Sequence, residues 1–129
     1  MIFNIEFDTD TLNLGELTKI VRLIKHPAVL DLILQIDINS MDIGIDHSGN
    51  IASATTFYDA IINNKNCSPE ILQKILLKLQ GDRKMMYYVS YWIIHNEKVS
   101  TYTLEWLISN SKNEATIYEA KRVLNSCLE

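Results

Sequence analysis

Along most of the chain, apolar residues recur at intervals of three and four, which is the spacing of one face of an α-helix. In the first such segment, Asn13 can cap the helix and Glu16 can reach back to complete a capping box. Pro27 ends this helix and can open the next one, because a first turn does not need the N–H that proline lacks. The pattern predicts helices at residues 13–26, 27–36, 51–62, 69–79, 82–95, 101–109 and 112–127.

Two stretches of the chain, thirty-two residues apart, match each other in chemistry: "IINNKNCSPEILQKIL" at 61–76 and "IIHNEKVSTYTLEWLI" at 93–108. Each has a pair of isoleucines, an asparagine in a polar run, a serine that can cap a helix, and an apolar staple across that cap. The matched pairs are Asn64 and Asn96, Cys67 and Val99, Ser68 and Ser100, and Leu72 and Leu104. A period of this size indicates a stack of helical pairs, each burying its face on the next.

The connection between the second and third helices, "DINSMDIGIDHSGN" at 37–50, has the aspartates, glycines and other turn-forming residues of a long loop. In an alternative interpretation, "IGID" and "IASA" pair as a small hairpin around "HSGN". The first segment, "IFNIEF", alternates as a strand does and would need a helix or this hairpin to pack against. We predict the loop and keep the hairpin as the alternative.

Composition and length are those of an ordinary folded protein. Of the 129 residues, 47% are hydrophobic and 22% charged, which fits one domain over residues 1–129. No apolar run approaches the roughly 18 residues of a membrane span. The N-terminus has acids where a signal peptide would have basic and then apolar residues. We therefore expect a cytoplasmic protein that does not enter membranes.

Charge is distributed unevenly along the chain. Residues 1–59 carry nine acids and three bases, a net charge of −6, whereas residues 60–129 carry seven acids and nine bases, a net charge of +2. Between His26 and Asn64 there are five aspartates and neither lysine nor arginine. Such a one-sided field favours a basic partner and disfavours phosphate backbones. We expect a basic protein as the partner and do not expect a nucleic acid.

Motifs for enzymatic or metal chemistry do not occur in this sequence. Its four glycines form no phosphate-binding loop or nucleophile elbow, and its three histidines lie far apart. Cys67 and Cys127 have neither CxxC spacing nor a neighbouring histidine. We expect no metal site, no cofactor and no enzymatic activity.

A family resemblance rests on "NNKNCSPEIL" and "GDRKMMYYVSYWIIHNEKVSTYTL". These segments resemble HEAT-like repeats and the related leucine-rich-repeat variant, in which an Asp-led helix ends in an Asn-rich turn before a capped, Leu-rich helix. The resemblance covers about residues 51–127, and the turns read Asn-Lys-Asn and Asn-Glu-Lys where Asn-Pro-Asn is usual. It implies a mainly all-α fold, a short right-handed superhelix of antiparallel helix pairs, with the N-terminal strand or hairpin as a minor addition.

Candidate partner-binding residues are acidic and aromatic. The aromatic candidates lie on the helices at 82–95 and 101–109; packing in the core is their alternative role, because a middle helix of a stack is covered on two sides. Tyrosine and tryptophan are also the residues that interface hot spots favour, and the pair on the second helix is the better candidate. The candidates are Asp37, Asp42, Asp46, Asp59, Tyr87, Tyr91, Tyr102 and Trp106.

By type, a small, acidic, single-domain cytosolic protein resembles the immunity proteins of bacterial contact-dependent growth inhibition and other polymorphic toxin systems. Such proteins bind and neutralise a cognate toxin domain, often a basic nuclease. The resemblance implies that aspartates occupy the basic site meant for phosphate while aromatic side chains anchor the contact. The alternatives are a HEAT-like nucleic-acid-binding or repair protein, which the absence of a basic stripe disfavours, and an enzyme of unrecognised type.

Overall fold

The structure, a computed structural model, describes residues 12–45 and 49–128. Within these ranges the chain forms seven α-helices, one short 3₁₀ turn and no β-strand, which confirms the prediction of an all-α fold. The helices are α1 (Leu14–Leu23), α2 (Pro27–Ile33), α3 (Ala54–Ile62), α4 (Pro69–Lys78), α5 (Arg83–Ile94), α6 (Thr101–Asn110) and α7 (Glu114–Leu128).

Three of the helices begin at the caps that the sequence predicts. The Asn13 side chain accepts a hydrogen bond from the Glu16 N–H at 2.8 Å, and the Glu16 carboxylate accepts one from the Asn13 N–H at 3.3 Å. The hydroxyls of Ser68 and Ser100 each accept a hydrogen bond from the N–H three residues further on, at 3.2 and 3.1 Å. These bonds satisfy N–H groups that have no partner inside a helix.

The predicted start of α3 at Ile51 was wrong. Ser53 and Thr56 form a capping box, so the helix begins at Ala54. Ile51 is 78% exposed and forms a single antiparallel bridge with Ile45. The connection before α3 is therefore the predicted loop, with a 3₁₀ turn at Ile38–Ser40 and one bridge of the alternative hairpin. The "IFNIEF" segment lies outside the described residues.

The odd-numbered helices form a row in which α3 contacts α1 and α5, and α5 contacts α7. Helix α2 packs on α4, α4 on α5, and α6 on α7. Fully buried side chains from all seven helices make the core. The largest lie on α1 to α6 and are Leu17, Leu30, Ile33, Phe57, Ile61, Leu72, Ile75, Leu76, Ile93, Ile94, Leu104 and Leu107. The right-handed superhelix stays a prediction.

The junction from α3 to α4 is tied to the end of α1 by one buried amide. Asn64 is 9% exposed, and its Nδ2 donates to the carbonyl oxygens of Val21 at 2.8 Å and Ile24 at 3.0 Å. Its Oδ1 accepts from the Asn66 N–H at 2.8 Å. The amide therefore holds its own turn and the preceding helix end together.

The junction from α5 to α6 repeats this arrangement. The Asn96 Nδ2 donates to the Ile62 carbonyl oxygen at the end of α3, at 3.1 Å, and its Oδ1 accepts from the Lys98 N–H at 2.9 Å. The two junctions that match in sequence are thus tied by equivalent asparagine amides, although Asn96 bonds one carbonyl oxygen of the preceding helix end where Asn64 bonds two. The C-terminal ends of α1, α3 and α5 therefore lie side by side.

This packing places the connections at two opposite edges. The junction edge is made of residues 24–26, 63–68 and 95–100, each following an odd-numbered helix. The loop edge is made of residues 34–45, 49–53, 79–82 and 111–113, in connections that follow even-numbered helices. Contacts across it include the Lys78 ammonium, which donates to the carbonyl oxygens of Leu34 and, at 3.0 Å, Ile36.

Candidate protein-binding surfaces

Asp42 is an exposed residue of the loop edge, held in place against the start of α1. The Leu14 N–H donates to the Asp42 carbonyl oxygen at 2.7 Å, and the Gly15 N–H donates to the Ile43 carbonyl oxygen at 2.8 Å. This close approach requires glycine, because a Cβ at residue 15 would come within 3.0 Å of three backbone atoms of Ile45. The segment that carries Asp42 therefore satisfies first-turn N–H groups of α1.

Asp37 and Asp82 are exposed residues of the same edge. The Asp37 Oδ1 accepts from the Asn39 N–H at 3.1 Å, and the Asp82 Oδ1 caps α5 by accepting from the Met85 N–H at 3.0 Å. Both carboxylates lie close to Tyr58: burial raises the pKa of its hydroxyl to about 12, and the two negative charges add to that rise. Sequence reasoning missed Asp82, although its position before "RKMM" is that of a helix cap.

Within the described part of the chain, no ion pair neutralises the carboxylates of the loop edge. Among the described residues, ion pairs join Lys74 to Asp31 at 2.7 Å and join Glu119 to His95 and Arg122. Asp37 and Asp42 are in none of them.

Cations nonetheless lie near two of these carboxylates. Burial lowers the pKa of the Lys78 ammonium while Asp37 raises it, so these two charges interact. Arg83 and Lys84 follow Asp82 on α5. Among the described carboxylates of the loop edge, the negative charge is therefore least compensated at Asp42.

Two other acidic candidates do not join this group. Asp59 lies in the last turn of α3, where its Oδ1 accepts from the Asn63 Nδ2 at 2.7 Å. It belongs to the junction edge, because α3 runs from one edge to the other and Asp59 falls in its second half. Asp46 lies outside the described residues.

The aromatic candidates on α5 are exposed, so the alternative of core packing does not hold for them. Tyr87 is 48% and Tyr91 58% exposed, because Val89, Ile93 and Ile94 take the side of α5 that faces the core. On α6, Tyr102 is 65% exposed and Trp106 is half-buried. Sequence reasoning missed two further exposed tyrosines, Tyr88 and Tyr118.

Tyr91 belongs to a cluster that joins α5 to α7. Its ring lies 4.6 Å, centroid to centroid, from that of His95, whose Nε2 is 3.2 Å from the Glu119 Oε1. Arg122 donates to the same carboxylate, and this hydrogen bond is the main reason that the pKa of Glu119 is lowered. The hydrogen bond to Glu119 and the charge of that carboxylate raise the pKa of Arg122, and Tyr118 and Tyr91 add to the rise.

Tyr87 and Trp106 meet in a cleft of about 350 Å³ between the start of α5, the end of α6 and the start of α7. Arg83, Met86 and Lys112 also line it. The cleft lies at the loop edge, beyond Asp82, whereas Tyr91 and Tyr102 do not line it. It is large enough for one partner side chain on an aromatic and methionine floor.

The two thiols should differ sharply in reactivity. Burial raises the pKa of the Cys67 thiol to about 11, whereas Cys127 is exposed. The thiolate is the reacting species. We therefore expect a thiol-specific dye at neutral pH to label Cys127 quickly and Cys67 only when the protein unfolds. Cys127→Ser should remove the fast phase alone; fast labelling that persists in this variant would contradict the buried position of Cys67.

The described residues contain no group of three or more His, Cys, Asp or Glu side chains that could hold a metal ion. None of the described helices combines the length and the apolar character of a membrane span.

No protein-family model, curated protein or solved structure matches the chain.

Proposed function

We propose that this chain is a protein-binding module that docks a basic domain of a partner protein on its loop edge. The observation that carries the proposal is the exposure of Asp37, Asp42 and Asp82 along one edge, outside any ion pair among the described residues. Exposed carboxylates that keep their charge attract a cationic surface over a distance and exclude polyanions.

The cleft beside these acids can supply the slow dissociation that surface charge alone does not give. Charges at a rim mainly speed association, whereas a side chain buried in a central pocket slows dissociation. Tyr87 and Trp106 offer such a pocket at the same edge, so one partner can contact the aspartates and fill the cleft together. The acids would then determine how strongly the affinity depends on salt, and the cleft would determine the lifetime of the complex.

Within this class we favour an immunity protein that neutralises a cognate basic toxin, such as a nuclease. A nuclease presents cations where it holds phosphate, and a row of fixed carboxylates can occupy those cations in place of the substrate. The repeated junction supports the HEAT-like assignment, because it links successive helix pairs into a stack, and the acids lie on the opposite edge of that stack. Nucleic acid is the competing ligand, and the loop edge disfavours it.

To test this proposal, the tagged chain is first purified from its native host, and the molecules that co-purify with it are identified. For a basic partner protein, Asp37→Asn with Asp42→Asn is expected to weaken binding about 10-fold or more and to flatten its salt dependence. Asparagine can still cap a turn, so circular dichroism and thermal melting should change little. Calorimetry across a salt series measures both effects.

Glu97→Gln with Glu105→Gln is the matched control, because it removes two exposed carboxylates from outside the loop edge. It should weaken binding less than about 3-fold. Salt-independent binding that the Asp37 and Asp42 changes leave intact would refute the proposal. Recovery of nucleic acid without a protein would move the function to the competing class.

A further inference from the structure

The junction edge carries a groove that the proposed function does not use. One part, of about 380 Å³, lies between the α1–α2 and α3–α4 connections; the other, of about 500 Å³, lies between the α3–α4 and α5–α6 connections. Asn63, Asn64 and Lys65 line both parts, so the two parts adjoin each other along the α3–α4 connection. We call the two parts together the junction groove.

The charge of the junction groove is opposite to that of the whole chain. Four cationic side chains and one acidic side chain line it, although the chain has a net charge of −4. None of the five takes part in an ion pair with another described residue. These residues are Arg22, Lys25, Lys65, Lys98 and Glu97.

The walls of the groove are held rigid by the repeated hydrogen bonds. The amides of Asn64 and Asn96 fix the distance between neighbouring junctions, and the Lys98 ammonium donates to the Lys65 carbonyl oxygen across the groove. Three cations, those of Arg22, Lys25 and Lys65, remain exposed along it. A groove that is already formed binds with a smaller loss of conformational entropy than one that must be ordered.

We propose that the junction groove binds an acidic, extended segment of a polypeptide. Carboxylates spaced along such a segment can meet the cations of successive junctions, and its apolar side chains can lie against the half-buried Trp92. This surface lies at the opposite ends of the helices from the loop edge and involves different residues. It would let the chain hold a second segment, of opposite charge to the partner on the loop edge.

A peptide fits this groove better than a nucleic acid does. A nucleic-acid strand carries a phosphate on every nucleotide, so it would place phosphates beside Glu97, which lines the groove, and toward Asp59, which bonds the groove residue Asn63. A peptide can confine its charges to the length of the groove and be neutral beyond it. The net charge of −4 also opposes a long polyanion at a distance.

Fluorescence anisotropy with a short glutamate-rich peptide tests this assignment. At about 50 mM salt we expect saturable binding that weakens steeply as salt is added. Lys25→Gln with Lys65→Gln should lower the affinity about 10-fold or more. Lys19→Gln with Lys84→Gln, which removes two exposed cations that do not line the groove, should lower it less than about 3-fold.

Each other outcome overturns the assignment. Equal losses in the two double variants, or no binding of the peptide, would show that the groove is not a site. Tighter binding of a single-stranded RNA, with the same dependence on Lys25 and Lys65, would assign the groove to nucleic acid. Self-association at low salt that the groove variant abolishes would make the occupant a second copy of this chain. None of these results bears on the aspartates of the loop edge.

Discussion

Replacing Asn64 with alanine is expected to lower the free energy of unfolding by about 2–4 kcal/mol. The substitution removes two hydrogen bonds to the end of α1 and one to the Asn66 N–H. The Val21 carbonyl oxygen then keeps the longer bond from the Ile24 N–H, at 3.3 Å, and the Ile24 carbonyl oxygen keeps the one from the Asn66 Nδ2, at 3.5 Å. A buried polar group that loses its partner costs more than the average hydrogen bond gains. Denaturant unfolding followed by circular dichroism measures the change.

Asn63→Ala is the matched control, since Asn63 is exposed and bonds only within α3, to Asp59. This substitution should lower the free energy of unfolding by about 0.5 kcal/mol or less. The loss of stability for Asn96→Ala should lie between those for Asn63→Ala and Asn64→Ala, because the Asn96 Nδ2 makes one bond to the preceding helix end. Equal losses for Asn63 and Asn64 would mean that the junctions are ordinary turns rather than the links between repeats.

Replacing Gly15 with alanine is expected to destabilise the protein by about 2–3 kcal/mol, although alanine is the better helix former by about 1 kcal/mol. A Cβ at this position would collide with backbone atoms of Ile45, so the segment carrying Asp42 must move away from α1. Its hydrogen bonds from the Leu14 and Gly15 N–H groups would be strained or broken. Thermal unfolding measures the loss.

Gly81→Ala supplies the control for this change, because a Cβ at Gly81 would meet no atom within 4 Å. It should leave stability within about 0.5 kcal/mol of the parent or raise it slightly, by reducing the freedom of the unfolded chain. If Gly15→Ala were as harmless as Gly81→Ala, the position of Asp42 would not depend on α1.

The sequence predicted those features that neighbouring residues decide. Helix caps at Asn13, Ser68 and Ser100 follow from side chains that bond three residues along the chain, so they could be predicted from spacing alone. The start of α3 was wrong for a related reason: Ile51 has the apolar spacing of a helical residue, but the capping box at Ser53 competes locally and determines the boundary.

Features that depend on distant parts of the chain could not be predicted from the sequence. The recurrence of Asn64 at Asn96 indicated a repeat, yet nothing in it showed that the Asn64 amide bonds a helix about forty residues earlier. Apolar spacing on α5 also could not show how many of its sides are covered, which decides whether Tyr87 and Tyr91 are core or surface.

Charge patterning along the chain was informative only in part. Five aspartates without a lysine or arginine between them indicated a negative side, but Asp31 is paired with Lys74 from α4 and Asp59 belongs to the junction edge. Conversely, the sequence shows no basic stripe, because the cations of the junction groove are scattered from Arg22 to Lys98 and only packing assembles them.

Hydrogen–deuterium exchange of the chain alone and in its complex with the basic partner tests the central claim most directly. Binding on the loop edge predicts slower exchange at residues 37–45 and 79–87, with no change at residues 63–68 and 95–100. Slower exchange confined to the latter two segments, with residues 37–45 unaffected, would contradict it.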